Sequence, residues 1–148
     1  MALANMTQQE TDQENREHCK RIAEDIDDYA TGKCYRCSEC DETLTIPDDV
    51  GDKYRCPSCG TVHEVDDLEP LSIYDYMDDV LDLRYIVERD RKTVRSVEVL
   101  VAFGGPNIWV STESQSVELY WWTDRASYPL SNAAVEALDD WAQEGWMY

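Results

Sequence analysis

An α+β fold is predicted by three observations. The chain writes nearly the same twelve letters twice, YRCSECDETLTI at 35–46 and YRCPSCGTVHEV at 54–65, each around a Cys-x-x-Cys pair. Apolar residues recur at helical spacing before this repeat and at two places after it. Between those two places the period drops to two, as it does in a half-buried strand. The predicted organisation is an N-terminal helical segment over 1–33, a cysteine-held module over 34–66, and an α+β domain over 67–148. That domain runs helix, antiparallel sheet of three or four strands, helix.

The first element is a polar helix over 8–30, QQETDQENREHCKRIAEDIDDYA. Cys19, Ile22, Ala23, Ile26, Tyr29 and Ala30 form one narrow apolar stripe by which it can dock, and Gly32 is placed to end it. A coiled-coil arm is the alternative. His18 and Cys19 read as incidental to any ligand set.

In the repeat, the pairs are Cys37/Cys40 and Cys56/Cys59, with fifteen residues between Cys40 and Cys56, a spacing that suits a four-cysteine metal site. A tight turn between paired cysteines presents two thiolates on one side, and two such turns facing each other complete a tetrahedron. Asp41 and Gly60 follow the second cysteine of each pair, where the turn calls for positive φ. Residues 35 to 65 therefore resemble a zinc ribbon, with TLTIPDDVGDKYRC as the hairpin between the knuckles and PDDVGD as its tip. Four thiolates close the coordination shell, so the implied Zn2+ is structural and supplies folding free energy to a module too small to bury a core. Cys34-x-x-Cys37 is a competing pair. Alignment with the second copy favours Cys37/Cys40 and leaves Cys34 a free thiol or an alternative ligand. His63 reads as a surface residue.

A helix capped by Ser72 is predicted over 71–82, with Ile73, Tyr76, Met77, Val80 and Leu81 on its apolar stripe and Asp75, Asp78, Asp79 and Asp82 around the rest of the cylinder. RYIVER (84–89) reads as a strand. SVEVLVAF then alternates, placing Val97, Val99, Val101 and Phe103 on one face, until GGPN breaks it. NIWVST and VELYWWT are strands joined by ESQS. SNAAVEALDDWAQEGW closes the chain as a helix capped by Ser131 or Asn132 that buries Val135, Leu138, Trp141 and Ala142. If Ile108, Val110, Val117, Leu119 and Trp121 face the helices, then Leu100, Ala102, Trp109, Tyr120 and Trp122 share the other face. Such a face is covered either by the ribbon or N-terminal helix, or by another molecule. This stretch, with GGPNIWV, VELYWW and ASYPLS, resembles small uncharacterised proteins of phages and mobile elements of Gram-positive bacteria. The resemblance covers roughly residues 71 to 146 and implies a biological setting but no chemistry.

The formal net charge is −19. It opposes direct contact with nucleic acid or an anionic membrane and favours a basic protein partner. Residues 66–83 hold seven acidic side chains and no basic one, while 84–96 hold five basic and two acidic ones. The basic strip Arg84, Arg89, Arg91, Lys92 and Arg95 is expected to pair with the acidic helix beside it. Either the acid is a solvated surface, or its carboxylates imitate a phosphate backbone and fill the basic groove of a nucleic-acid-binding protein. No basic-and-apolar leader opens the chain and no stretch is long enough to span a bilayer, so a cytoplasmic protein is expected, in the host cytoplasm if phage-encoded.

There is no Gly-rich phosphate loop, no G-x-S-x-G and no histidine placed beside a nucleophile by a recognisable motif. The expectation is a non-enzyme: an inhibitor of a host defence nuclease, of anti-restriction or anti-CRISPR type, acting by nucleic-acid mimicry. A zinc-ribbon adaptor or regulator that contacts a transcription or replication protein is the alternative. Partner contacts are assigned to Asp75, Asp78, Asp79 and Asp82 for mimicry, and to Trp109, Tyr120 and Trp122 for the aromatic face.

Overall fold

The structure is a computed structural model that describes residues 7–147. Thr7 opens the first helix, α1 (Gln8–Ala30), with a capping box: its hydroxyl accepts from the Glu10 N–H and the Glu10 carboxylate accepts from the Thr7 N–H. The helix stops at Thr31, and Gly32 turns the chain at φ 78°. The predicted stripe is the docked one, with Cys19, Ala23 and Ile26 buried and Ile22 and Tyr29 packed beside them.

Two small hairpins follow. β1 (Cys34–Arg36) pairs antiparallel with β2 (Thr43–Thr45), and β3 (Lys53–Arg55) with β4 (Val62–Glu64). Each copy of the repeat thus folds back on itself, and its Cys-x-x-Cys turn is the reversal. The expectation that 43–56 forms a hairpin between the knuckles is corrected: β2 and β3 lie in different sheets, and PDDVGD is a connection between two self-paired units. The reason is local. A knuckle already turns the chain by 180°, so the strand after it pairs with the strand before it. After a 3-10 turn at Val65–Asp67, β5 (Glu69–Pro70) adds to the free edge of β1, and the Leu71 N–H donates to the Cys34 carbonyl. Leu44, Ile46 and Leu68 make a small core with Cys37 and Cys56.

The main sheet is antiparallel and five-stranded, in the order β10-β9-β8-β7-β6. Its strands are β6 (Asp82–Val87), β7 (Val94–Ala102), β8 (Asn107–Ser111), β9 (Ser116–Trp121) and β10 (Asp124–Pro129). The α+β class holds, and ASYPLS supplies one strand beyond the three or four expected. Pro129 sits at the end of this edge strand, where a missing N–H costs little. The final helix, α3 (Asn132–Met147), is capped by Ser131, whose hydroxyl accepts from the Ala134 N–H and donates to the Asp27 carboxylate of α1. α1 lies over β9 and β10, α3 lies over β7, and both occupy the same face of the sheet. Val97, Val99, Ile108, Val110, Val117 and Leu119 from the sheet meet Cys19, Ile26, Ala134, Leu138 and Ala142 from the helices in one core.

Three sequence expectations change here. The helix predicted over 71–82 is a short α2 (Ile73–Met77); the chain turns at Asp78 and Asp79, and Asp82 already belongs to β6. The Leu81 N–H donates to the Leu100 carbonyl, so sheet pairing captures the segment that local periodicity assigned to helix. Second, the alternation of β7 breaks at a bulge between Leu100 and Ala102, which turns Ala102 toward the core opposite Ile108. Phe103 lies beyond the strand, 73% exposed, and does not continue the inner face. Third, Trp122 is in the turn after β9, 88% exposed, and does not lie on a strand face.

Candidate metal centre

The two knuckles are built by the same hydrogen bonds. The Cys37 N–H donates to the Glu42 carbonyl and the Asp41 N–H to the Cys37 carbonyl; in the second copy Cys56 donates to Thr61 and Gly60 to Cys56. Asp41 at φ 62° and Gly60 at φ 78° take the left-handed conformation that their place after the second cysteine implies. The turns bring the Sγ atoms of Cys37, Cys40, Cys56 and Cys59 within 4.8 Å of one another. Cys37–Cys59 and Cys40–Cys56 are each 3.7 Å apart, with no disulfide between them. A tetrahedron with metal–sulfur bonds of about 2.3 Å has edges of roughly 3.8 Å. The cluster therefore has the size and the donor set to bind a metal ion.

Cys37 and Cys56, the first cysteine of each pair, are buried; Cys40 and Cys59 face solvent. Cys34 lies outside the cluster. It is wholly buried on β1, and burial pushes its thiol up to about 11. Cys19 is a core residue of α1, likewise pushed up to about 11 by burial. His63 is not a free surface histidine. Its Nε2 lies 3.2 Å from Cys37 Sγ, across from the second knuckle to the first. Its position four residues after Cys59 was visible in the sequence, but not that β4 turns the ring toward the other pair.

The remaining assigned residues fall into three places. Asp75 is held by the α2 capping box, its carboxylate accepting from the Ser72 N–H. Asp78 and Asp79 ride on the following turn, and Asp79 shares a cleft with Asp25 and Tyr29 of α1 and Tyr76 of α2. Tyr29 and Tyr76 meet edge to face, 5.3 Å between ring centres, which ties α2 to α1 there. Asp82 faces outward on β6 opposite Leu100.

Trp109 and Tyr120 do share the outer face of the sheet with Leu100, as expected. It is a mixed face: Glu98, Ser111 and Glu118 stand between the apolar residues. Arg84 lies over Trp109 at 4.6 Å and Arg125 over Tyr120 at 5.6 Å, and the Tyr120 hydroxyl donates to Glu118. α1, one of the expected covers for this face, is on the opposite side. The basic strip does not pair with the acidic segment in the way expected: Arg95 binds Glu113 at 2.7 Å and Arg84 stacks on Trp109. Comparison with protein-family models, curated proteins and solved structures returns no match. Among the described residues no helix is long and apolar enough to cross a membrane.

Proposed function

We propose that this is a non-enzymatic, acidic protein-binding protein. Its ribbon is held by one structural Zn2+, and its carboxylates imitate nucleic acid to inhibit a host defence nuclease. The observation that carries the reading is the concentration of acid from two elements. Asp25 of α1 shares a cleft with Asp79 of the turn after α2, Glu24 and Asp28 line the adjoining groove of α1 together with Arg21, and Asp75, Asp78 and Asp82 stand before and after Asp79 in the chain. Asp28 also feels its neighbours: burial raises its carboxyl most, Lys33 lowers it, and Asp27 and Glu24 raise it further. A ridge of like charge attracts a basic groove at long range and speeds encounter. Four thiolates in a closed tetrahedron favour zinc in a folding role over a metal that binds substrate. The phage setting rests on the resemblance of residues 71–146.

The test is charge reversal with competition. A pull-down from bacterial lysate at low and high salt supplies the partner. The triple change Asp78→Lys, Asp79→Lys, Asp82→Lys is then expected to abolish binding, DNA to compete with the protein, and salt to weaken the complex steeply. Asp75 is excluded from the set because its carboxylate caps α2.

A second reading, an adaptor or regulator whose partner seats on the aromatics, is favoured by the exposure of Trp122. Binding that survives the triple reversal but is lost in Trp109→Ala or Trp122→Ala overturns mimicry in favour of this reading.

A further inference from the structure

We propose that His63 holds the Cys37 thiolate in the metal tetrahedron through an Nε2–H···Sγ hydrogen bond, making the second knuckle the donor half of the site. The inference rests on reading the four cysteines as a metal centre. Its starting point is a difference between the two copies. Four residues after Cys40 stands Leu44, buried in the small ribbon core; four residues after Cys59 stands His63. Two residues after Cys40 stands Glu42, and two after Cys59 stands Thr61. The second copy has replaced residues that cannot donate a hydrogen bond to a thiolate with two that can.

Both replacements touch sulfur. His63 Nε2 is 3.2 Å from Cys37 Sγ and Thr61 Oγ1 is 3.3 Å from Cys59 Sγ. A metal-bound thiolate carries no proton and only accepts, so the imidazole donates through Nε2 and the hydroxyl of Thr61 through its own proton. His63 is not itself one of the ligands. The four sulfur atoms lie within 4.8 Å of one another and complete a tetrahedron without it. A divalent ion with four thiolates leaves two net negative charges, and Cys37 is shielded from water that would otherwise solvate its share. The imidazole N–H takes the place of that water. Because the bond runs from β4 to the first knuckle, it also clamps the two copies together.

The metal is zinc alone, and the chain is tested whole. Zinc stoichiometry is measured first; a reduced, unchelated chain without zinc removes both the metal reading and this inference. With zinc bound, His63→Leu gives the second copy the side chain of the first and removes only the donor. Transfer of zinc to a chromogenic chelator is expected to be faster and metal affinity about tenfold or more weaker, within the range of 10- to 100-fold seen when groups supporting metal ligands are removed. His63→Gln, which keeps an N–H, is expected to recover part of the loss. Zinc retention by His63→Leu at the wild-type level overturns the inference and leaves the metal centre standing. A nitrogen-15 spectrum of the wild-type ring provides an answer that does not depend on the variant folding. Nε2 protonated and free of metal supports the inference. Nε2 unprotonated, or coordinated in a three-sulfur, one-nitrogen site, overturns it.

Discussion

Trp122 takes the first position of the two-residue turn between β9 and β10, at φ 56°. Hairpin turns of this length put Gly, Asn or Asp where φ is positive, because a Cβ there approaches the carbonyl at a cost of about 1 kcal/mol. With its indole exposed and only an edge contact to Trp121, the residue has little packing to lose. Trp122→Gly, which removes that Cβ, is therefore expected to leave thermal stability unchanged or raise it by up to about 1 kcal/mol, as read by a melting curve. A marked drop would show that the indole packs against the fold. At the metal centre, Cys56→Ser is expected to lower bound zinc to background in elemental analysis and to loosen residues 35–65. All five tryptophans lie at or beyond position 109, so tryptophan fluorescence should show whether the α+β unit survives that loss. Which four cysteines cluster was legible in the spacing, as were the positive φ values at Asp41 and Gly60. The role of His63 was not, since no local pattern records which side chain a neighbouring hairpin will face.

The two long helices are legible in the sequence, whereas the end of the short one is not. α1 and α3 carry stripes long enough to outvote their context, and both have capping residues where the stripe begins. α2 also has a capping box, but the pattern after Met77 continues only because Val80 and Leu81 happen to fall in phase. Those residues lead into β6, which gains a full ladder of hydrogen bonds to β7. The edge strand β10 is hard to read in the sequence because its alternation is short and weak: only Ala126 and Tyr128 of it pack on the core, and Ala is a poor strand former. α1 contributes Cys19, Ala23 and Ile26 to the same core as the sheet, so its stability should be tied to that of the C-terminal unit. Ile26→Ala, at a wholly buried position, is expected to cost about 3 kcal/mol. The loss should register in tryptophan-detected unfolding. If that transition is unchanged, α1 is an independent arm.

For the whole molecule, charge sets the dependence on pH and salt. Asp25 and Asp139 have carboxyls raised above the ordinary value, in both cases mainly by burial. Asp28, near the end of α1, adds to the first, and Asp140 and Glu113 to the second, against the hydrogen bond from Thr112. A carboxyl raised in the folded state binds its proton more tightly there than in the unfolded chain, so stability falls as pH rises from the unfolded value to the folded one. The α+β unit is thus expected to gain stability as pH is lowered from neutral through the folded values of Asp25, Asp28 and Asp139. Melting temperature from tryptophan fluorescence, compared between pH 7 and pH 5, checks the sign. Asp25→Asn and Asp139→Asn should each remove part of the gain. The ribbon should respond in the opposite direction, because its thiolates take up protons and release metal.

The sequence by itself determined the α+β class, the two long helices, and the four cysteines that cluster. It did so because helical periodicity, capping and knuckle spacing are all written within a few turns of chain. Tertiary structure alone decided that His63 of one hairpin reaches Cys37 of the other and that the segment after Met77 joins a sheet. It also decided that both helices share one face, leaving arginines stacked on Trp109 and Tyr120 on the other. These outcomes depend on pairings between residues far apart in sequence, where ladder hydrogen bonds and core burial outweigh the weak local preference of any one segment.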